Sequence, residues 1–110
     1  MPRRNRRDYA KYKEHARSLV HARLAHFNQA YQFSWGRVAI RNQKSRWGSC
    51  SKRGNLNFSY RIALIAPELA DYVIVHELCH LGEFNHSPRF WALVARACPE
   101  HRALRARLRN

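Results

Sequence analysis

Two histidines and a glutamate in the second half of the chain have the types and spacing of a metal-dependent hydrolytic site. His76 and His80 are four residues apart, so on a helix both imidazoles lie on one face. Glu77 follows His76 directly and lies about 100° around the helix from it. Two imidazole ligands beside a carboxylate are typical of zinc hydrolases, in which the metal activates a water and the carboxylate removes its proton. The motif therefore predicts metal ligands at His76 and His80 and a general base at Glu77.

The residues before the motif favour this interpretation over a chance arrangement. Residues 69–75 are almost continuously apolar, so the motif ends a segment that we expect to be buried. Polar groups are costly to bury without partners or a role. The alternative is that the three polar residues are inert, hydrogen-bonded groups on a half-exposed helix face.

A catalytic zinc usually has three protein ligands, and His86 is the first candidate for the third. Gly82 can end the helix in a left-handed turn, after which the chain folds back and brings His86 towards the same metal. The spacing before His86 matches the metzincin pattern, but the only methionine is Met1, which excludes the Met-turn of that group. Glu100, on a later helix, and His101 are the alternative ligands, and Glu100 would give a site of two histidines and one glutamate.

The composition is that of one folded domain spanning residues 1–110. Hydrophobic residues make up 45% of the 110 residues, which is enough for a core. No apolar run approaches the ~20 residues that span a bilayer, and no apolar segment of a secretory signal follows the basic residues 1–7. The three cysteines contain no Cys-x-x-Cys pair, which favours reduced thiols over a structural zinc site. We expect Cys79 to act as a small apolar packing residue. We expect a cytoplasmic monomer without a membrane anchor.

The chain is strongly basic, with a net charge of +14 from 21 lysines and arginines against seven aspartates and glutamates. The basic residues form one cluster near the N-terminus and one near the C-terminus: Arg3, Arg4, Arg6, Arg7, Lys11, Lys13 and Arg17, then Arg102, Arg105, Arg107 and Arg109. Such an excess favours phosphate-rich partners through counterion release, so DNA or RNA is a candidate partner of these helices. The alternative is that both clusters are solvated helix faces.

The hydrophobic spacing predicts an α+β fold in which helices flank a small sheet. Residues 8–31 have helical periodicity, with Asp8 as the N-cap and residues 1–7 as a flexible basic tail. Alternating apolar residues predict short strands at residues 37–41 and 56–62. We expect a sheet of two to three strands with antiparallel pairing.

Prolines mark the helices that follow the sheet. Pro67 begins the helix that carries the histidine motif, and we expect this helix to extend to Leu81. Ser87 and Pro88 begin the next helix as its N-cap and first residue. Pro99 ends that helix, and a short basic helix completes the chain.

A group that stabilises the oxyanion of the reaction is also expected near the metal. Asn57, Tyr60 and Arg61 are candidates because they lie just before the motif helix, although each also suits a structural role. Trp47 beside Arg46 is a candidate contact to substrate or nucleic acid, and the alternative role of Trp47 is to anchor the core at a turn.

Four segments of the chain form a pattern more specific than the histidine motif alone. They are Arg46-Trp47-Gly48-Ser49-Cys50-Ser51, Gly54-Asn55-Leu56-Asn57, Val75-His76-Glu77-Leu78-Cys79-His80-Leu81 and Asn85-His86-Ser87-Pro88-Arg89-Phe90-Trp91. In this order they closely resemble the YgjP-like metallopeptidase family, which is similar to the small zincins of the SprT type. The resemblance implies a compact zincin core, one Zn²⁺ held by His76, His80 and His86, and a protein or peptide substrate.

The leading hypothesis is a zinc-dependent metallopeptidase in which Glu77 takes the proton of the attacking water and passes it to the leaving amine. Proteins associated with nucleic acid are candidate substrates, as the SprT-type relatives suggest. The alternative is a basic nucleic-acid-binding module with a non-catalytic zinc site. The presence of Glu77 argues against that alternative, because a structural site needs no base. A hydrolase of non-peptide substrates is a third class, which no phosphate- or nucleobase-specific motif supports.

Overall fold

The computed structural model describes the backbone of residues 2–109 and the side chains of residues 6–109. Its elements are α1 (Pro2–Tyr31), β1 (Val38–Arg41), β2 (Gly48–Cys50), β3 (Leu56–Ser59), a 3₁₀ helix (Tyr60–Leu64), α2 (Pro67–Cys79), α3 (Pro88–Ala97) and α4 (His101–Arg109). The fold is α+β, as predicted, and the histidine motif lies at the C-terminal end of α2.

The three strands form a mixed sheet in the order β1-β3-β2. β2 and β3 form an antiparallel hairpin, with Ser49 opposite Asn57, across a turn in which Gly54 has a φ of 84°. β1 runs parallel to β3, with Val38 opposite Leu56. The prediction of purely antiparallel pairing is therefore wrong for β1, because β3 takes the central position and leaves β2 at an edge.

The apolar residues that suggested a strand over residues 56–62 are all buried, but the strand ends earlier. Tyr60 and Ile62 are 4% and 0% exposed, yet they lie in the 3₁₀ helix that follows β3. The hydroxyl of Ser59 accepts a hydrogen bond from the Arg61 N–H at 3.2 Å and donates one to the Gln43 carbonyl at 3.1 Å. This cap stops the strand while the same side chains remain in the core.

Helix α1 packs along α2 and the 3₁₀ helix through Ala16, Val20 and Leu24, which are fully buried. It begins at Pro2, so the N-cap predicted at Asp8 is wrong, and residues 2–7, which we expected as a separate tail, belong to the helix. Arg23 joins α1 to α2 through two hydrogen bonds to the Asp71 carboxylate, at 2.8 and 3.0 Å. This paired contact fixes the position of the helix that carries the histidine motif.

Helix α2 is the centre of the core, and its ends agree closely with the prediction. Pro67 lies in the first turn, and the helix ends at Cys79 with His80 as its C-cap, two residues before Leu81. Cys79 is 0% exposed, as expected of a packing residue. Within residues 2–109, none of the helices combines the length and apolar character needed to cross a bilayer.

Candidate metal centre

Three histidines of α2 and the following loop converge on one point. The Nε2 atom of His86 lies 3.1 Å from Nε2 of His80 and 3.2 Å from Nε2 of His76. All three ligand atoms lie within 4.8 Å of one another, and in the described part of the chain this is the one such cluster. His76 and His80 come from consecutive turns of α2, and His86 comes from the loop before α3.

The distances between the nitrogens fit a bound metal better than a hydrogen-bonded cluster. A tetrahedral zinc with Zn–N bonds of about 2.0–2.1 Å holds its ligand atoms about 3.3–3.4 Å apart. The observed separations of 3.1 and 3.2 Å are close to that value. Because a neutral imidazole carries one N–H, a single proton on His86 cannot satisfy both neighbours at once.

Two contacts outside the cluster fix which nitrogen of each ring faces its centre. The Nδ1 atom of His80 lies 3.2 Å from the Glu83 carbonyl, which can only accept, so Nδ1 carries the proton and Nε2 has a free lone pair. The Nδ1 atom of His76 lies 3.2 Å from the hydroxyl of Tyr72, which is 3% exposed. Such partners orient the ligands of metal sites. We had not singled out Tyr72, although it precedes His76 by one helical turn.

Burial keeps the two histidines of α2 neutral. Desolvation lowers the pKa of His76 to about 3, with smaller contributions from His80, His86 and Arg105. Desolvation also lowers the pKa of His80, and its hydrogen bond to Glu83 partly opposes this. Both rings are therefore in the unprotonated form that binds a metal at neutral pH.

The turn after α2 brings His86 back, but by a different route from the one we predicted. The N–H of Gly82 bonds to the Cys79 carbonyl at 3.0 Å, which tightens the helix end. Among the described glycines only Gly54 has a positive φ, so the left-handed turn predicted at Gly82 is wrong. A Cβ at Gly82 would lie 2.5 Å from Cζ of Phe33. The glycine is therefore needed for close packing rather than for its backbone conformation.

Glu77 lies beside the three histidines and faces β2. It is 6% exposed and makes no ion pair among the described residues. Burial raises the pKa of Glu77 to about 8, and the nearby Arg46 opposes the shift. A Cβ built on Gly48 would lie 3.0 Å from Glu77 Cγ and 3.2 Å from Oε2, so the absence of a side chain at Gly48 makes room for the carboxylate.

The site opens into a groove between α2 and the edge strand β2. Its central cavity, of about 290 Å³, is lined by Arg46, Gly48, Ser49, Cys50, His76, Glu77, His80, Phe84 and His86. A cavity of about 450 Å³ adjoins it at His80 and Phe84, and one of about 590 Å³ adjoins it at His86. Gly48 and Phe84 were not predicted as site residues, because the fold rather than local spacing brings them to the histidines. Arg46 was considered only together with Trp47, as a contact to substrate or nucleic acid, and the structure places it in the wall of this cavity.

The alternative third ligands lie outside the histidine cluster. Glu100 lines a separate cavity with Arg23 and Asp71. His101 stacks on the ring of Trp91, with the ring centres 5.2 Å apart. Of the candidates, the structure therefore places His86 with the two histidines of α2 and places neither Glu100 nor His101 there.

The three residues considered for oxyanion stabilisation make structural contacts elsewhere. The Asn57 side-chain oxygen accepts a hydrogen bond from Arg41 at 3.1 Å. Tyr60 is buried edge-on against Tyr9. The guanidinium of Arg61 lies 4.8 Å from the centre of the Trp47 ring and donates to a backbone carbonyl. The Arg61 contact favours the structural role of Trp47.

Comparison with known proteins gives the family and the fold. A search of curated proteins finds no match. The metallopeptidase zymogen abylysin of Pyrococcus abyssi has a similar crystal structure, with a TM-score of 0.73 and 25% identity, covering 81% of this chain and 90% of that chain. The metallopeptidase zymogen jannalysin of Methanocaldococcus jannaschii shares the fold, with a TM-score of 0.64 and 22% identity over 84% of this chain and 92% of that one. The family model of the YgjP-like metallopeptidase domain matches residues 3–110, and the chain therefore belongs to this metallopeptidase family.

Proposed function

We propose that this metallopeptidase is zinc-dependent, with one Zn²⁺ held by His76, His80 and His86 and with Glu77 as the general base. The observation that carries the proposal is the convergence of three imidazole nitrogens beside a buried carboxylate that forms no ion pair with the residues the structure describes. Three nitrogen ligands leave a fourth tetrahedral position for the reaction. A purely structural site needs neither this open position nor the carboxylate.

Zinc bound at this position would polarise the peptide carbonyl and acidify the attacking water. Glu77 accepts the proton of the water and delivers it to the leaving amine. Burial raises the pKa of Glu77, which makes the carboxylate a stronger base for taking up the proton that it later returns. Tyr72 and the carbonyl of Glu83 hold the rings of His76 and His80 in the required orientation.

The edge strand β2 supplies a place for an extended peptide. Among the residues that the structure describes, β2 is paired with β3 alone, so its other edge can accept a further strand along the groove. Ser49 and Cys50 of this strand line the same cavity as the three histidines and Glu77. A peptide added to this edge would therefore place a backbone carbonyl next to the metal position.

The substrates we propose include proteins associated with DNA or RNA. On α1, Arg6, Arg7 and Lys11 are exposed, and on α4 Arg109 is exposed outside the cavity that Arg102 and Arg105 line. These groups can contact phosphates without occupying the groove in which the peptide would bind. Cleavage of a DNA-binding protein should then be faster when DNA is added than when it is absent, and this increase in rate should disappear at high salt. A cytoplasmic location and a monomeric state stay predictions.

The test compares zinc-loaded wild-type protein with the Glu77→Gln variant on a panel of peptides. The substitution keeps the size and the polar character of the side chain but removes the base. We expect Glu77→Gln to bind one zinc per chain and to cleave at least about 10²-fold more slowly. Equal cleavage rates in the two proteins would refute the role of Glu77. Absence of cleavage by wild-type protein across the panel, with zinc bound, would favour the non-catalytic alternative.

A matched pair of variants tests the third ligand. His86→Ala should lose zinc, because two imidazoles alone bind it weakly. Glu100→Ala removes the alternative ligand and should retain one zinc per chain. Metal content measured after dialysis distinguishes the two, and the reverse result would assign the third position to Glu100.

A further inference from the structure

We propose that the cavity beside His86 is a substrate subsite that binds the carboxylate side chain of an aspartate or glutamate close to the cleaved bond. This inference rests on the proposed peptidase function and adds the class of substrate. The cavity is lined by His86, Pro88, Trp91, His101, Arg102 and Arg105. Its volume of about 590 Å³ lies within the range of about 300–1,000 Å³ that is typical of ligand sites.

The position of the cavity places its occupant next to the reacting bond. His86 contributes to the wall of this cavity and also to the wall of the central cavity that contains Glu77. The ring of Trp91 lies 5.7 Å from the ring of His86 and 5.8 Å from that of His76. A side chain resting on Trp91 would therefore belong to a residue at or beside the scissile bond.

The Trp91 ring packs against His101 and Arg105 and so holds these two side chains in the wall of the cavity. It is nearly parallel to the ring of His101, with an angle of 17° and ring centres 5.2 Å apart. The guanidinium carbon of Arg105 lies 5.3 Å from the centre of the Trp91 ring. This contact restrains the arginine while its N–H groups remain available to a ligand. A planar guanidinium held in this way suits a carboxylate, which it can bind through two hydrogen bonds.

The cations of this cavity have no carboxylate partner within the part of the chain that the structure describes. Arg102 and Arg105 form none of the ion pairs, whereas Arg107 on the same helix bonds to Glu68 at 3.1 Å. None of the lining residues is acidic, and the neighbouring Glu100 lines a different cavity.

The net charge of the chain alone would make any part of its surface attractive to acidic peptides, so the experiment needs a control for charge. Arg105→Leu removes the guanidinium from the cavity. Arg109→Leu removes the same charge from the same helix, but Arg109 does not line the cavity. A general charge effect would change both variants equally, whereas a subsite requires a selective effect of Arg105.

Binding is measured by fluorescence anisotropy in a Glu77→Gln background, in which peptides are not consumed. The probes are labelled peptides that differ only in glutamate or glutamine at one position, with a capped N-terminus and an amidated C-terminus. We expect the glutamate peptide to bind about tenfold more tightly at one position of the series. Arg105→Leu should reduce this preference to less than about threefold, and Arg109→Leu should leave it near tenfold.

Three results would overturn the subsite. The first is equal binding of glutamate and glutamine peptides at every position, and the second is an equal loss of preference in Arg105→Leu and Arg109→Leu. The third is Arg105-dependent binding of an additional glutamine peptide that has a free C-terminus, without any such binding by the amidated glutamate peptide, which would assign the cavity to a terminal carboxylate instead. Because the readout is binding, a retained glutamate preference together with absent cleavage by wild-type protein would refute the peptidase proposal and not the subsite.

Discussion

Replacing Tyr72 by phenylalanine should weaken zinc binding without disturbing the fold. The hydroxyl lies 3.2 Å from Nδ1 of His76, and the residue is 3% exposed. When Nε2 binds a metal, Nδ1 must carry the proton, and the phenol oxygen is its acceptor. In the metal-free protein the ring can move its proton to the other nitrogen, so the missing hydroxyl penalises chiefly the metal-bound state.

Two independent estimates give the size of this effect. A buried donor that loses its partner costs about 1–3 kcal/mol. Loss of a partner behind a metal ligand typically lowers metal affinity about 10–100-fold. Since each tenfold change corresponds to about 1.4 kcal/mol, the two ranges agree. We therefore expect the zinc dissociation constant of Tyr72→Phe to rise about 10–100-fold.

The assay is a zinc titration in competition with a chromogenic chelator, with Tyr31→Phe as the matched control. The Tyr31 hydroxyl donates to the Leu93 carbonyl at 2.6 Å and, within the described residues, forms no hydrogen bond to the three histidines. Its loss should lower the free energy of unfolding by about 1 kcal/mol and leave zinc affinity unchanged. A folded Tyr72→Phe protein with wild-type zinc affinity, or an equal loss of affinity in both variants, would refute the reasoning.

Three further predictions concern packing and titration. The methyl group added by Gly48→Ala must displace Glu77, so the rate of peptide cleavage should fall by up to about 100-fold while zinc stays bound. A variant with wild-type kinetics would show that the close approach of Gly48 to Glu77 is unimportant. Gly82→Ala places a methyl group against Phe33, and chemical denaturation should show a loss of about 1–3 kcal/mol, whereas unchanged stability would contradict the packing role. Burial, followed by the charge of Asp71, raises the pKa of Cys98 to about 11 from its ordinary value of 9.0. The unfolded chain therefore loses this proton at a lower pH than the folded chain, and the free energy of unfolding falls as the pH rises from 9 to 11. Cys98→Ala should reduce that fall, and an identical pH profile would exclude the thiol as its source.

The parts of the site that follow from local periodicity could be predicted from the sequence. The four-residue spacing of His76 and His80 is sufficient to place both rings on one helix face. Tyr72 was within reach of the same reasoning, because it lies four residues before His76. The start of α3 was also predicted correctly, since the Ser87 hydroxyl accepts from the Phe90 N–H at 3.4 Å, as a helix cap does.

The parts that depend on contacts between distant segments could not be predicted in this way. Gly48 and Arg46 approach Glu77 only because β2 pairs with β3 and then faces α2. The parallel pairing of β1 depends on which strand takes the centre of the sheet, and alternation of apolar residues does not contain that information. The choice between His86 and Glu100 depended on the path of the turn, which is set by the packing of Gly82 rather than by its intrinsic preference.

The most direct test of the proposed site is the anomalous difference map from a crystal of the zinc-loaded Glu77→Gln protein, measured at the zinc edge. We predict one peak per chain, with Nε2 of His76, His80 and His86 about 2.0–2.1 Å from it and the side chain at position 77 outside the ligand set. A peak coordinated by Glu100 in place of His86, or a peak that lies away from His76 and His80, would contradict the proposed site.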